Sequence, residues 1–433
     1  MRARKCFVYA IIMGLAGILL GGQVCFGAGF ALYEGSARGN ALGGTLVARA
    51  DDPSALFYNP AGITQLPGLQ VMGGATFIIP STNVTTTNPY NKHTVETGTE
   101  SNVWMPPHLY ASYQFMDKLW FGLGVFGQFG LGTEFDSLWP GRYNSYDAEI
   151  KTLTFNPNFA FKVTDSLSVA AGIDFMWFDL TLKNKIDASG QNNPATYTYD
   201  VDQKLTGDSF NAGWNLALHY KPLDWMALGL SYRSQIKQNV TGDADFTKPS
   251  FLSPLLFRDT GVSGSITLPD TLYSGLMFKP WNCFSVEIGG TWVRWSTYDQ
   301  LTILYDNAIA YNSKTGQPIT SVTRIKDWHD TWRASIGFEY TPIDWLDLRA
   351  GYIFDESPVT DEHADYLLPA NSRHLFSFGP GFRWHNWTVD LSYTYIWILD
   401  RDNVPARLSE GVLQSSFSGG NAHLAGLSVS YKF

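Results

Sequence analysis

The chain closes on Leu427-Ser428-Val429-Ser430-Tyr431-Lys432-Phe433, in which apolar and polar residues alternate strictly. A period of two is that of a β-strand whose two faces meet different surroundings. The same alternation predicts strands over 69–79, 107–115, 119–130, 148–162, 167–184, 208–220, 226–240, 262–278, 284–296, 328–340, 346–355, 373–383, 387–397 and 421–433. Every second junction is short. Lys221-Pro222-Leu223-Asp224-Trp225, Lys279-Pro280-Trp281-Asn282 and Thr341-Pro342-Ile343-Asp344-Trp345 each lead directly into a strand. Met116-Asp117-Lys118, Thr164-Asp165-Ser166 and His385-Asn386 hold equivalent places. Pro, Asp and Asn suit tight turns, so the repeated unit is one hairpin. The intervening junctions are long and polar, near 80–106, 131–147, 185–207, 241–261, 297–327, 356–372 and 398–420.

About fourteen strands joined by short turns on one side and long loops on the other describe an all-β fold, a transmembrane antiparallel β-barrel. The even count returns both chain ends to one side, the periplasm. Lipid offers no hydrogen-bond partner, so a spanning sheet must close on itself. Trp120, Trp225, Trp281, Trp345 and Trp387 flank the short turns and are expected to form an aromatic girdle at one interface. A lumen of this width is too broad for wall side chains to fill, so a plug is expected.

Composition fits a barrel. The 433 residues are 15% aromatic and only 16% charged, with 41 Gly; soluble domains carry about 25% charged residues. Met1-Arg2-Ala3-Arg4-Lys5, an apolar run to Leu20 and small residues up to Gly27 read as a signal peptide, too short for a membrane anchor. Val24 before Cys25 argues against a lipoprotein leader, which would carry leucine among the preceding residues. Removing 1–27 leaves 406 residues (433 minus 27) and a net charge of −12 (−9 minus the leader's three positive charges). Nucleic acid, which needs clustered Lys and Arg, is not an expected partner. Cys6 and Cys25 leave with the leader, and Cys283 alone supports neither a disulfide framework nor a zinc cluster.

Residues 28–68 precede the first strand and are dense in small and apolar residues, unlike a disordered tail. They read as the plug. Here the chain resembles the FadL family of outer-membrane hydrophobe transporters: in Ala28-Gly29-Phe30, in Ala50-Asp51-Asp52 and in Asn59-Pro60-Ala61. The likeness returns in Phe129-Gly130-Leu131-Gly132-Thr133-Glu134-Phe135, in Gly351-Tyr352-Ile353-Phe354-Asp355-Glu356-Ser357-Pro358-Val359 and in Leu368-Pro369-Ala370 to Arg373, so it spans nearly the whole mature chain. It implies a fourteen-stranded barrel with an N-terminal hatch, capture of long-chain fatty acids or aromatic hydrocarbons among outer loops, binding against the hatch, and sideways exit at an inward kink of the third strand. Repeated glycine in that strand independently permits a kink, at Gly127, Phe129 and Gly130. Gly122, Gly124 and Gly127 also match a dinucleotide fingerprint, but no helix follows.

The expected ligand contacts are Ala28, Gly29, Phe30 and Leu32, the apolar free end of the plug, which would move on release. Asn59, Pro60 and Ala61 belong to the same hatch, with Asn59 and Pro60 read chiefly as fixing its shape. A carboxylate ligand would want a cation; Lys183, Lys185 and Arg373 are the candidates, although rim or loop charges of this kind are usually solvated. No cofactor and no metal are expected. Asp361-Glu362-His363 with Asp365 reads as a solvated loop, and His219, His329, His374 and His385 are too scattered for a hydrolase. The other class kept open is a general porin, which would have charged constriction ladders and no long hatch. A monomer is expected, among outer-membrane lipid and lipopolysaccharide, inserted by the barrel assembly machinery.

Overall fold

The computed structural model describes residues 29–312 and 315–433. The leader 1–27 and Ala28 lie outside the described residues. Fourteen strands form the wall: β1 (Leu69–Thr87), β2 (Pro107–Met116), β3 in two pieces (Leu119–Phe126 and Gly130–Glu134), β4 (Asp147–Lys162), β5 (Leu167–Asp187), β6 (Asp200–Leu223), β7 (Met226–Arg233 and Ile236–Thr247), β8 (Thr260–Leu268 and Thr271–Trp281), β9 (Phe284–Val293 and Gln300–Tyr305), β10 (Ser321–Ile325 and Thr331–Ile343), β11 (Leu346–Asp355), β12 (Arg373–Trp384), β13 (Trp387–Ile398 and Arg401–Val404) and β14 (Gln414–Lys432). Each pairs antiparallel with the next, and β1 pairs with β14 from Gln70 opposite Lys432 to Thr87 opposite Gln414, which closes the ring. Closure leaves no lipid-exposed sheet edge.

β5 shows why these residues make wall. Val169, Ile173 and Trp177 face outward and are exposed, while Ser168, Ala170, Asp174 and Met176 face inward and are buried. Above Trp177 the outward positions become Asp179, Thr181 and Lys183, yet β5 stays paired with β6 to Asp187 opposite Asp200. The lipid-facing band therefore ends below the sheet. β1, β5, β6, β7 and β14 all extend into segments expected to be loops, because polar outward residues mark water outside, not a break in pairing. β3, expected to be continuous over 119–130, is broken between Phe126 and Gly130. Trp120 is a further correction. It is buried and donates its indole N–H to the Leu66 carbonyl at 2.7 Å, so it fastens the plug and takes no part in the girdle. Trp225, Trp345 and Trp387 are exposed, as an aromatic belt requires.

Residues 29–66 fill the lumen with two short helices, α1 (Ala37–Ala41) and α2 (Ala55–Tyr58), and a 3₁₀ turn at Pro60–Gln65. Their partners lie all round the wall. Ala37 N–H donates to Ser428 on β14, Asn40 to Thr76 on β1, Thr64 to Ser168 on β5, and Asn59 to the Leu218 carbonyl on β6. The backbone N–H groups of Val47, Ala48 and Arg49 all donate to the Glu287 carboxylate on β9 at 2.9 Å. Arg233 on β7 pairs with Asp174 on β5 at 2.5 Å and donates to the carbonyls of Leu56 and Phe57, at the end of α2, where a cation is favoured. Where the plug backbone leans on the wall, the wall carries glycine. A Cβ at Gly229 would lie 2.0 Å from the Val47 carbonyl oxygen, and one at Gly351 2.3 Å from the Gly43 nitrogen.

Candidate functional site

β3 breaks because its neighbour ends. The lower piece pairs with β2 up to Phe126 opposite His108. Beyond that point β2 offers Pro107 and then Pro106, which have no N–H to donate. The upper piece, Gly130–Glu134, keeps β4 as a partner, with Gly130 opposite Lys151. Three residues of β3 (127–129) stand against two of β4 (152–153), a bulge that bends the strand. The freed backbone is satisfied by the plug and by a β4 side chain. Leu32 N–H donates to the Gln128 carbonyl at 3.0 Å and Gly130 N–H to the Phe30 carbonyl at 2.9 Å. The Thr152 hydroxyl donates to the Phe129 carbonyl at 2.7 Å. Residues 29–35 thus form a strap across the break.

A cavity of about 460 Å³ lies at this break. It is lined by Gly29, Phe30 and Leu32 of the strap, by Gly127, Phe129 and Gly130 of β3, and by Arg373. Its lining also includes Leu153 and the exposed Met105 and Trp177. A second cavity, walled by Leu180, Leu205, Val262, Leu301 and other apolar residues, lies under the extracellular loops. The two share Phe30, Leu131, Ile150 and Leu368. Phe30 stands between them, 5% exposed, in a box of aromatic rings: Trp295 at 4.7 Å, Trp328 at 5.7 Å, and Tyr298 and Phe129 at 6.1 Å. Gly29 is seated flat on Trp295, where a Cβ would come within 2.4 Å of the indole.

Charged residues border these spaces: Glu34, Glu100, Glu134, Lys151 and Arg373 the cavity at the break, and Lys326 and Asp365 the loop-side one. Arg373 is ion-paired with Asp355 at 2.8 Å while lining the larger cavity. Glu34 of the strap lines it too, and burial pushes its carboxyl above the usual range. In the loop-side cavity the Lys326 amine meets the Asp365 carboxylate, both buried. Burial pulls the Lys326 amine below its usual range against the opposing pull of Asp365.

The structure therefore brings together Gly29, Phe30, Leu32, Gly127, Phe129, Gly130 and Arg373. It does not bring Lys183 and Lys185 there. Lys183 pairs with Asp147 at 2.6 Å and Lys185 with Asp202 at 2.5 Å, and neither lines these two cavities. Asn59, Pro60 and Ala61 also lie away from both. The Asn59 amide donates to the Val47 and Leu218 carbonyls and its oxygen accepts from Ala61 N–H, so it staples hatch to wall. Asp361 and Asp365, read as parts of one solvated loop, are taken by Arg401 and Lys326. Sequence reasoning missed Trp104, Trp295, Lys326 and Trp328; the Pro106-Pro107 pair was the available signal for the break.

A plugged, closed β-barrel with apolar cavities joined across its plug defines an outer-membrane protein that handles hydrophobic molecules. The chain belongs to the family described as outer membrane protein transport protein (OMPP1/FadL/TodX), whose model matches residues 18–433. It is 23% identical to the long-chain fatty acid transport protein of Escherichia coli K12, with 94% of each chain covered, and 25% identical to a 47 kDa outer membrane protein of Pasteurella multocida, with 92% of each covered. Its fold matches a Pseudomonas aeruginosa FadL homologue (TM-score 0.80, 19% identity, 95% of this chain and 100% of that one) and the Pseudomonas putida toluene transporter TodX (TM-score 0.67, 20% identity, 95% and 100%). The family is one of outer-membrane transporters of hydrophobic compounds.

Proposed function

We propose that this chain carries hydrophobic compounds, long-chain fatty acids foremost, passively across the outer membrane. Ligand is captured among the extracellular loops, passes Phe30 into the cavity at the broken β3, and leaves sideways into the membrane. The observation that carries this reading is the pair of apolar cavities that meet at Phe30, one of which is bordered by the exposed Met105 and Trp177. Each methylene buried contributes about 0.8 kcal/mol, so capture of an acyl chain needs no external energy. Release needs a second state with weaker contacts, and the strap is the element able to supply it. Arg373, which borders the cavity at the break, could share itself between Asp355 and the carboxylate end of a ligand. The aromatic box around Phe30 supports a second reading, uptake of monoaromatic hydrocarbons such as toluene by the same route. We further propose that 1–27 is removed on export, that 28–68 is the working hatch, and that the protein acts as a monomer inserted by the barrel assembly machinery.

The structure supplies a direct test of sideways exit. A Cβ at Gly127 would lie 3.7 Å from the Pro106 Cβ, within the Cβ–Cβ range of about 3.5–4.5 Å that a disulfide needs. The double variant Pro106→Cys/Gly127→Cys should bolt the break shut. Hydrophobe uptake should be lost when it is oxidised and return on reduction. Unchanged uptake through the bolted barrel would refute exit at this place. Mass spectrometry of ligand carried through purification, with oleate and toluene as competitors, decides between the two substrate classes.

A further inference from the structure

We propose that Trp104 is the closing leaf of the break in the wall and the residue there that distinguishes ligands with an oxygen acceptor from plain hydrocarbons. The inference rests on the sideways-exit reading and assigns the wall's side of that route, where the strap is the lumen's side. Trp104 lies in the extended segment before β2 and is held to β1 by two backbone hydrogen bonds: its N–H donates to the Ile78 carbonyl at 2.9 Å, and its carbonyl accepts from Ile78 N–H at 2.8 Å. Its backbone thus belongs to the β1 side of the break, but its side chain belongs to the other. A Cβ at Gly132, on the upper piece of β3, would lie 2.1 Å from Trp104 Cε2 and 2.6 Å from Nε1, so the indole lies directly on Gly132. Two residues back, a Cβ at Gly130 would lie 3.2 Å from Leu32 Cδ1. Gly130 and Gly132 share one face of the strand, so Leu32 of the strap and Trp104 of the wall lie side by side on a glycine floor. Pro106 and Pro107 leave no N–H with which β2 could zip that edge instead. One backbone hydrogen bond, Glu100 N–H to the Glu134 carbonyl at 2.8 Å, ties the upper end of the break; between it and His108 side chains close the barrel, and side chains can turn aside without unfolding a strand.

The leaf also carries chemistry. Trp104 lines the cavity that also holds Arg373, and its Nε1, buried against Gly132, has no hydrogen-bond partner among the described residues, so the donor becomes free to a ligand when the ring swings off Gly132. Buried indole N–H groups ordinarily have an acceptor. A ligand whose end bears oxygen, a carboxylate above all, would satisfy this one as it enters the break. Toluene would not.

Two substitutions in the full-length protein test this, each read by uptake of oleate and of toluene into proteoliposomes. Trp104→Phe keeps an aromatic leaf and removes the donor, so folding is preserved. Oleate uptake at limiting concentration should fall about tenfold, the order expected for one lost hydrogen bond to a charged group, while toluene uptake stays within about twofold by the same argument. Trp104→Ala removes the leaf and should raise toluene uptake at limiting concentration several-fold. Equal effects of Trp104→Phe on both compounds, or none, would overturn the discriminating role; wild-type toluene uptake in Trp104→Ala would overturn the leaf. The disulfide bolt separates this inference from the one beneath it. If the bolted barrel still transports, the exit route itself falls; if the bolt blocks while both Trp104 variants behave as wild type, only the leaf falls.

Discussion

The plug holds on to the barrel in two different ways. Residues 36–66 are fixed by charge and backbone. Arg38 reaches Asp51 at 2.6 Å, Asp52 at 3.0 Å and Glu339 on β10 at 3.1 Å, and Arg349 on β11 binds the same Glu339 at 2.8 Å and Asp390 on β13 at 2.5 Å. Residues 29–35 have a different attachment. At Phe30 and Leu32 they hold the wall by apolar and aromatic contacts and by two backbone hydrogen bonds to the broken β3, and further along by the Tyr110 hydroxyl, which donates to the Gly35 carbonyl at 2.7 Å, and by Arg333 over the Tyr33 ring. Ion pairs taken out of water are costly to separate, because each partner is left as an uncompensated buried charge. Apolar contacts into a cavity are cheap to exchange, because a hydrophobic ligand can replace them. The contrast places rigidity where the lumen must stay sealed and exchangeability where a hydrophobe must pass.

Breaking the rigid half should have the largest effect. Arg38→Ala would leave Asp52 and the half-exposed Asp51 without their cation, while Glu339 keeps Arg349; it is expected to cost about 3 kcal/mol, visible as a lower urea midpoint in detergent. Gly351→Val drives a side chain into the backbone of Leu42 and Gly43. It should cost about 1–3 kcal/mol as overpacking and raise resting conductance as the hatch is displaced. The smallest stability effect belongs to the strap. Phe30→Leu keeps an apolar side chain and loses ring contacts, about 1 kcal/mol, yet it should change hydrophobe uptake more than either of the others. A strap variant that lowered the urea midpoint as far as Arg38→Ala while leaving uptake unchanged would erase the distinction. Deleting 28–32 sharpens it: the urea midpoint should fall by less than in Arg38→Ala while uptake is lost.

The wall was legible because its code is local. Alternation over β11 and the turn at Thr341-Pro342-Ile343-Asp344-Trp345 needed no knowledge of the rest of the chain. Upper strand ends such as Asp200–Gly207 on β6 were hidden, since their outward side chains face water and composition there resembles a loop. Trp120 went astray because nearness to a turn does not say which face a ring takes, and its partner, the Leu66 carbonyl, is 54 residues away. At the site, the strap and the β3 glycines could be picked out, the first by its small and apolar residues and the second by repetition. Lys326 and Asp365 could not, because each looks like an ordinary loop charge until folding buries them against one another. Trp104 was hidden for a similar reason: its seat, Gly132, is a neighbour only after β3 has bent inward.

The glycine seats on β7 and β11 carry a consequence for how the molecule is made. Hatch backbone lies against wall backbone with no side chain between them, Arg38 of the hatch is locked to Glu339 on β10, and Arg233 on β7 is locked to the hatch carbonyls of Leu56 and Phe57. A preformed cylinder offers no clearance for threading such a segment in afterwards. The hatch must already lie among the strands when the β1–β14 seam zips, so the N-terminal segment serves the growing sheet as a mandrel. Supplying residues 1–68 as a separate peptide to a barrel that begins at Leu69 should therefore fail to restore the plugged state once closure is complete, and should succeed only if the two refold together.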